Sequence, residues 1–285
     1  MRIEFHYSEI YDIVYHILAH MKVENASNLY SATYIHTINQ AKNRCDSIEE
    51  AVSRFADYYN EKFERLGIIN FLPFYCSSVQ NLISTTESYE RFTTTDKERF
   101  VLPFIQLIKK EYAFYKSYWD TLYDSSSLPR EAFESWVKKE LNRYQPLFSY
   151  FQKSCVIGLS YSLTNNGRGY MKPETFNAVV PFVYDESQYK STFFQILHEY
   201  THQFTDHMLG ESIRMDDGTH DVSENAVILF DYYLIKKLCE QDIASYLEWV
   251  SSLLNIEQCD ENLFLSVFSI KDDINEKLLE IVDRI

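Results

Sequence analysis

The sequence predicts an α+β protein, predominantly helical, with one small sheet in its second half. Three observations carry this. Glycine and proline are scarce, 6 of each in 285 residues, which leaves few tight turns for an all-β chain. Apolar residues recur at helical spacing along most of the chain. Only near Cys155 does the composition change to β-branched and aromatic runs. Apolar residues make up 46% and charged residues 24%, so a core can be buried and disorder as the main state is excluded. The length allows one large domain or two small ones.

Residues 1–153 are expected to be all-helical. Tyr7–Met21 carries Ile10, Ile13, Val14, Ile17 and Leu18 at helical spacing. Ser47 with Glu50 resembles a capping box that opens a helix through Phe63. Asp96–Tyr123 reads as a long helix with Pro103 in its first turns. Pro129 opens another, through Trp136 and Leu141. Residues 154–285 form the second region. Cys155–Leu163 reads as a strand, and Thr164-Asn165-Asn166-Gly167 after it carries the Asn-Gly hairpin signal. Phe176–Tyr184 reads as another strand, where Pro181 points to a sheet edge or a bulge. The expected sheet is small and antiparallel. From Asp185 the helical pattern holds to Ile285, with breaks near residues 210–218 and 259–261.

Charge narrows the partners. The formal net charge is −15, from 27 Lys plus Arg and 42 Asp plus Glu. Tracking a nucleic-acid backbone needs a basic face, and none is visible, so no nucleic acid is expected. An anionic membrane surface is disfavoured for the same reason. No apolar run is long enough for a membrane span, and the first residues lack the pattern of a secretory signal. The expected location is cytoplasmic, although an exported chain stripped of its leader would read alike. Cys45, Cys76, Cys155, Cys239 and Cys259 form no CxxC pair and read as separate reduced thiols. No GxxxxGK[ST], GxGxxG or GxSxG motif occurs, so nucleotide, dinucleotide and serine-hydrolase readings have no support.

One constellation stands out. Residues 198–202 read His-Glu-Tyr-Thr-His. On a helix His198 and His202 share a face, so two imidazoles can grip one zinc ion. Glu199 sits beside them, where it can take a proton from a water. A catalytic zinc needs a third protein ligand and one open position. Met208 occupies the place where a metzincin carries histidine, which excludes that class. Downstream, Glu224 is placed in the first turn of a second helix, which a short loop can fold back onto the first. Glu224 can instead close a capping box on Asp221. Asp221, in Gly218-Thr219-His220-Asp221, is itself an alternative third ligand, as are His220 and His207.

The HEYTHQFTD run followed by Ser223-Glu224-Asn225-Ala226 resembles the gluzincins, the thermolysin-like and related zinc metallopeptidases of clan MA. The resemblance covers roughly residues 155–240. It implies a zincin-like catalytic region, a Zn2+ ion held by His198, His202 and Glu224, and Glu199 as general base. The implied activity is hydrolysis of a peptide or protein substrate. It also implies an edge strand that holds the substrate backbone, either Phe176–Tyr184, through Asn177 and Ala178, or Arg168–Met171. A tyrosine or histidine should stabilise the oxyanion. Tyr232 is the candidate, with Tyr161, Tyr170, Tyr233 and His220 open. Ile228 stands where the family carries an acidic residue four positions past the ligand Glu. Asp231 can orient a zinc histidine in its place or be a solvated acid, and Asp206 is a further candidate. The rival reading is a non-catalytic peptide- or protein-binding module that keeps the zincin fold. His16 and His20 are also four apart, but with no acid of the HExxH type between them they read as a surface pair.

Overall fold

The computed structural model describes residues 3–21, 32–42, 48–151, 154–164, 167–172, 174–210 and 219–285. It is α+β and mostly helical, with one four-stranded mixed sheet. Strand β1 (Ile3–His6) leads into α1 (Glu9–His20), which Ser8 caps by accepting from the Ile10 amide. Helices α2 (Ala32–Ala41), α3 (Glu49–Glu61), α4 (Phe63–Leu66) and α5 (Val79–Ser88) follow. Short α6 (Thr94–Asp96) opens on a reciprocal Thr93–Asp96 capping box and passes through a π turn at Lys97–Val101 into α7 (Leu102–Ser125). Then come α8 (Ser127–Arg143) and α9 (Gln145–Phe151), and strands β2 (Ser154–Ser160), β3 (Arg168–Met171) and β4 (Thr175–Pro181). The chain closes with α10 (Tyr189–Gly210), α11 (Thr219–Leu238), α12 (Ile243–Leu254), α13 (Glu261–Val267) and α14 (Asp272–Arg284).

The sheet order is β1-β2-β4-β3. β1 and β4 run parallel to β2, and only β3 is antiparallel to its neighbour β4. Three sequence expectations are corrected here. The first half is not all-helical, because Ile3–His6 pairs with Cys155–Gly158. Nor does the Asn-Gly step join β2 to a hairpin partner, since β2 lies between β1 and β4. The hairpin that forms joins β3 to β4, where the Lys172 amide donates to Thr175 O at 2.8 Å. Asn165 and Asn166 themselves lie outside the described residues. And β4 is interior, not an edge. Its Pro181 is tolerated because β3 has already ended: Arg168, the first residue of β3, faces Val179. On the β2 side the Phe182 amide continues the ladder to Ser160 O at 2.8 Å.

The helices wrap this sheet around one apolar core drawn from both halves of the chain. Helix α1 is buried on all sides, from Ile10 to His20. His16 and His20 are therefore core residues rather than a surface pair. Such burial demands partners for polar groups. Asp12 accepts from Trp119 Nε1 at 2.8 Å, from Ser160 Oγ and from the Tyr161 amide at 3.3 Å. Helix α3 starts at Glu49, with Ile48 in the N-cap place and no side-chain bond from it; the capping box expected at Ser47 and Glu50 rests on Ser47. Ser47 lies outside the described residues. Cys76, Cys155, Cys239 and Cys259 are free thiols; Cys45 lies outside the described residues. Among the described residues, no helix is long and apolar enough to cross a membrane.

Candidate metal centre

Helix α10 crosses the face of the sheet. Phe193, Phe194, Ile196, Leu197 and Tyr200 are buried along it, and the Tyr200 ring meets Phe176 of β4 edge-on at 5.3 Å. That burial fixes the helix's rotation and turns His198 and His202 towards α11. Their rings lie 4.7 Å apart, nearly perpendicular.

The two Nε2 atoms are 3.2 Å apart. Glu224 of α11 faces both, with Oε2 3.4 Å from His198 Nε2 and Oε1 3.6 Å from His202 Nε2. Ligands about 2.0–2.1 Å from a tetrahedral zinc stand about 3.3 Å from one another. The donor atoms thus have the spacing of three corners of such a tetrahedron. Two imidazoles and a carboxylate are also a zinc-type donor set. His198, His202 and Glu224 are the one group among the described residues that meets these conditions. All three keep some exposure, 14%, 22% and 35% of their side chains, which leaves the fourth direction reachable. A closed structural site would not.

Behind the ligands stands Asp231, fully buried on α11. It accepts from His198 Nδ1 at 3.0 Å and from Thr201 Oγ1 at 2.5 Å. Seven residues separate Asp231 from Glu224, close to two helical turns, so both project towards α10. Asp231 is therefore the orienting acid and not a solvated one, and Ile228 is its buried neighbour. This bond points His198 Nε2 at the cluster centre. Trp249 of α12 closes the side, its ring 5.9 Å from that of His198.

Electrostatics favour a cation here. Burial lowers the affinity of His198 for a proton, but the Asp231 and Glu224 carboxylates outweigh it and raise its pKa to about 10. Asp231 is raised by burial, against the hydrogen bonds from His198 and Thr201. Glu199 is raised too, first by burial; the charges of His198 and Arg168 and the Gly169 amide pull it partway back. A carboxylate raised in this way is a better proton carrier near neutrality.

Two expectations about α11 change. The helix begins at Thr219, so Glu224 sits in its second turn and Asp221 lies inside the helix. A capping box between Asp221 and Glu224 is thereby excluded. The side chains of Asp206, His207, His220 and Asp221 lie outside the described residues. Tyr232, expected as the oxyanion residue, is not brought to the cluster. Its hydroxyl donates to Glu261 and accepts from Lys236 Nζ, and its ring packs on Phe264 of α13 at 4.8 Å. One residue beyond Asp231 is a rotation of about 100°, which turns Tyr232 away from α10. The other tyrosines are engaged elsewhere: Tyr161 with Ser126, Tyr233 with Asn275, and Tyr170 stacked on Phe74.

The sheet edge beside α10 is β3, which selects Arg168–Met171 over Phe176–Tyr184. Two residues at this edge went unnoticed in the sequence. Gly167 and Gly169 face Glu199, and a glycine every second residue in a strand is the signal that marks them. Comparison with protein-family models, curated proteins and solved structures finds no match to this chain.

Proposed function

We propose that this chain is a zinc-dependent metallopeptidase with a zincin-like catalytic region of the gluzincin type. The observation that carries the reading is the spacing of His198 Nε2, His202 Nε2 and Glu224, 3.2–3.6 Å between neighbours, with Asp231 locking the first ligand. Zinc held there supplies a Lewis acid for a peptide carbonyl and lowers the pKa of water.

The chain's own residues do the rest. His198, His202 and Glu224 hold the ion, and Asp231 fixes the His198 ring. Glu199 takes a proton from the attacking water and delivers it to the departing amine nitrogen. A carbon–oxygen bond forms, the carbon–nitrogen bond breaks, and carboxylate and amine result. Strand β3, four residues long and last in the sheet order among the described residues, is the place for an extended substrate backbone.

Elemental analysis after exhaustive dialysis, followed by a screen against pooled fluorogenic peptides, tests this. The expected result is about one zinc per chain and measurable cleavage. Glu199→Gln should keep the zinc and lose about 10²–10⁴-fold in rate. A metal-free chain even after zinc is added back would sink the reading. Zinc with no cleavage of any peptide would favour the non-catalytic binding module instead.

A further inference from the structure

We propose that Gly169 is a positioning residue for Glu199: the absence of its side chain creates the seat in which the carboxylate lies. This rests on the peptidase reading for its catalytic consequence, but the seat itself is a matter of packing. A Cβ at Gly169 would lie 2.6 Å from Glu199 Oε2, 3.2 Å from Glu199 Cβ and 3.0 Å from the Phe176 ring. Gly167, just before β3, would bring a Cβ to 2.9 Å from the Val179 carbonyl oxygen and 3.0 Å from Val180 Cγ1, with Glu199 Oε1 third at 3.3 Å. Glu199 is thus the tightest contact at Gly169, and at Gly167 it comes after the neighbouring strand.

Backbone dihedrals require neither glycine, although the Val179 carbonyl by itself leaves no room for a side chain at Gly167. Among the described residues other than glycine, only Asn255 has a positive φ, and neither Gly167 nor Gly169 adopts the left-handed conformation that favours glycine. Both sit in or beside extended strand, where glycine weakens pairing and packs nothing. What both positions share is the acid across from them. Phe176 bars retreat on one side, and Glu199 is anchored on a helix whose rotation the core fixes. A methyl group at position 169 must therefore displace the carboxylate, the softest of the three neighbours. A base moved by about 1 Å loses its alignment, which costs on the order of 10²-fold in rate.

Two measurements on the full-length zinc-loaded chain test the seat. Kinetics on the best substrate from the peptide screen should show Gly169→Ala losing at least tenfold in kcat, with KM within twofold and about one zinc retained. A strand defect that spoiled substrate binding would raise KM instead. Thermal unfolding gives a readout independent of turnover. Gly169→Ala should lower Tm by about 5 °C in the wild type and by less than half of that in Glu199→Ala, where the clashing carboxylate is gone. Equal losses in both backgrounds would overturn the proposal and leave Gly169 a purely structural glycine. Should Gly169→Ala fail to fold, a folded Gly169→Ala/Glu199→Ala double variant supports the seat, and a second failure overturns it. A wild type without peptidase activity ends the functional reading while the Tm comparison still decides the seat.

Discussion

The chain carries two His-x-x-x-His pairs, one on α1 and one on α10, and their local geometry is nearly the same. His16 and His20 have ring centroids 4.7 Å apart at 72°, and His198 and His202 are 4.7 Å apart at 78°. Everything beyond the helix differs. In α10 both Nε2 atoms converge on a carboxylate from another helix, and a second, buried acid holds the back of one ring. In α1 both rings are sealed in the core. Tyr34 Oη pairs with His16 Nδ1 at 2.9 Å, and His20 Nδ1 donates to His16 O at 2.8 Å. The nearest carboxylate, Glu111, stands 3.6 Å from His16 Nε2, but Lys42 holds it at 2.5 Å. Helical spacing thus presents two imidazoles together at either place. The acids that face them decide whether they can hold a metal.

The largest effect separates the pairs outright. His202→Ala and Glu224→Ala should each lose bound zinc and all peptide cleavage, because two protein ligands no longer define the site. His20→Asn, on α1, should keep about one zinc per chain and fall only in thermal stability. Zinc lost equally from variants of both pairs would show that the metal follows folding in general and not the α10 cluster.

Next comes the acid behind the ring. Asp231→Asn keeps the size but replaces a charged acceptor by a neutral amide against His198 Nδ1. Zinc affinity should fall about 10–100-fold, as removal of such an outer partner typically does. The matching change on α1, Tyr34→Phe, should leave zinc affinity unchanged. Competition with a chromophoric chelator reads both. An unaltered affinity in Asp231→Asn would reduce Asp231 to a buried helix-to-helix tie.

Part of this contrast was legible in the sequence. HExxH on a helix with apolar flanks located His198, Glu199 and His202, and the run into Ser223-Glu224 located the third donor, because each is written in local spacing. Asp231 was legible as a possibility only, since burial distinguishes an orienting acid from a solvated one and burial is a tertiary property. Tyr232 misled for the same reason: helix phase relative to α10 cannot be read without the packing of α13. The helical majority was visible in periodicity. The sheet's pairing was not, because β1 is only four residues long and its partner lies almost the whole helical half away. His16 and His20 looked like a surface pair because nothing local says that α1 is enclosed on every side.

The smallest effect concerns the pair that holds no metal. Burial pushes His16 down to about 4; Glu111 acts against this, and His20 and Lys42 act with it. Tyr34 and Tyr115 cover the remaining faces, the latter stacked at 4.7 Å. An unfolded histidine titrates near about 6.5. Between pH about 6.5 and about 4 the unfolded chain therefore binds a proton that the folded chain refuses. Stability falls as the pH drops through that window and is flat with respect to His16 above it. From pH 7 to pH 5 the loss should be on the order of 1–2 kcal/mol. Asp12, raised by burial to about 6, contributes with the opposite sign below that pH. The difference between wild type and His16→Gln isolates the histidine, because Asp12 is common to both. Urea unfolding at pH 5 and pH 7 should show wild type losing more stability than His16→Gln over this interval. Identical pH slopes would mean that His16 is protonated in the folded chain, held by Glu111 as His198 is held by its own acids, and the two pairs would then be electrostatically alike.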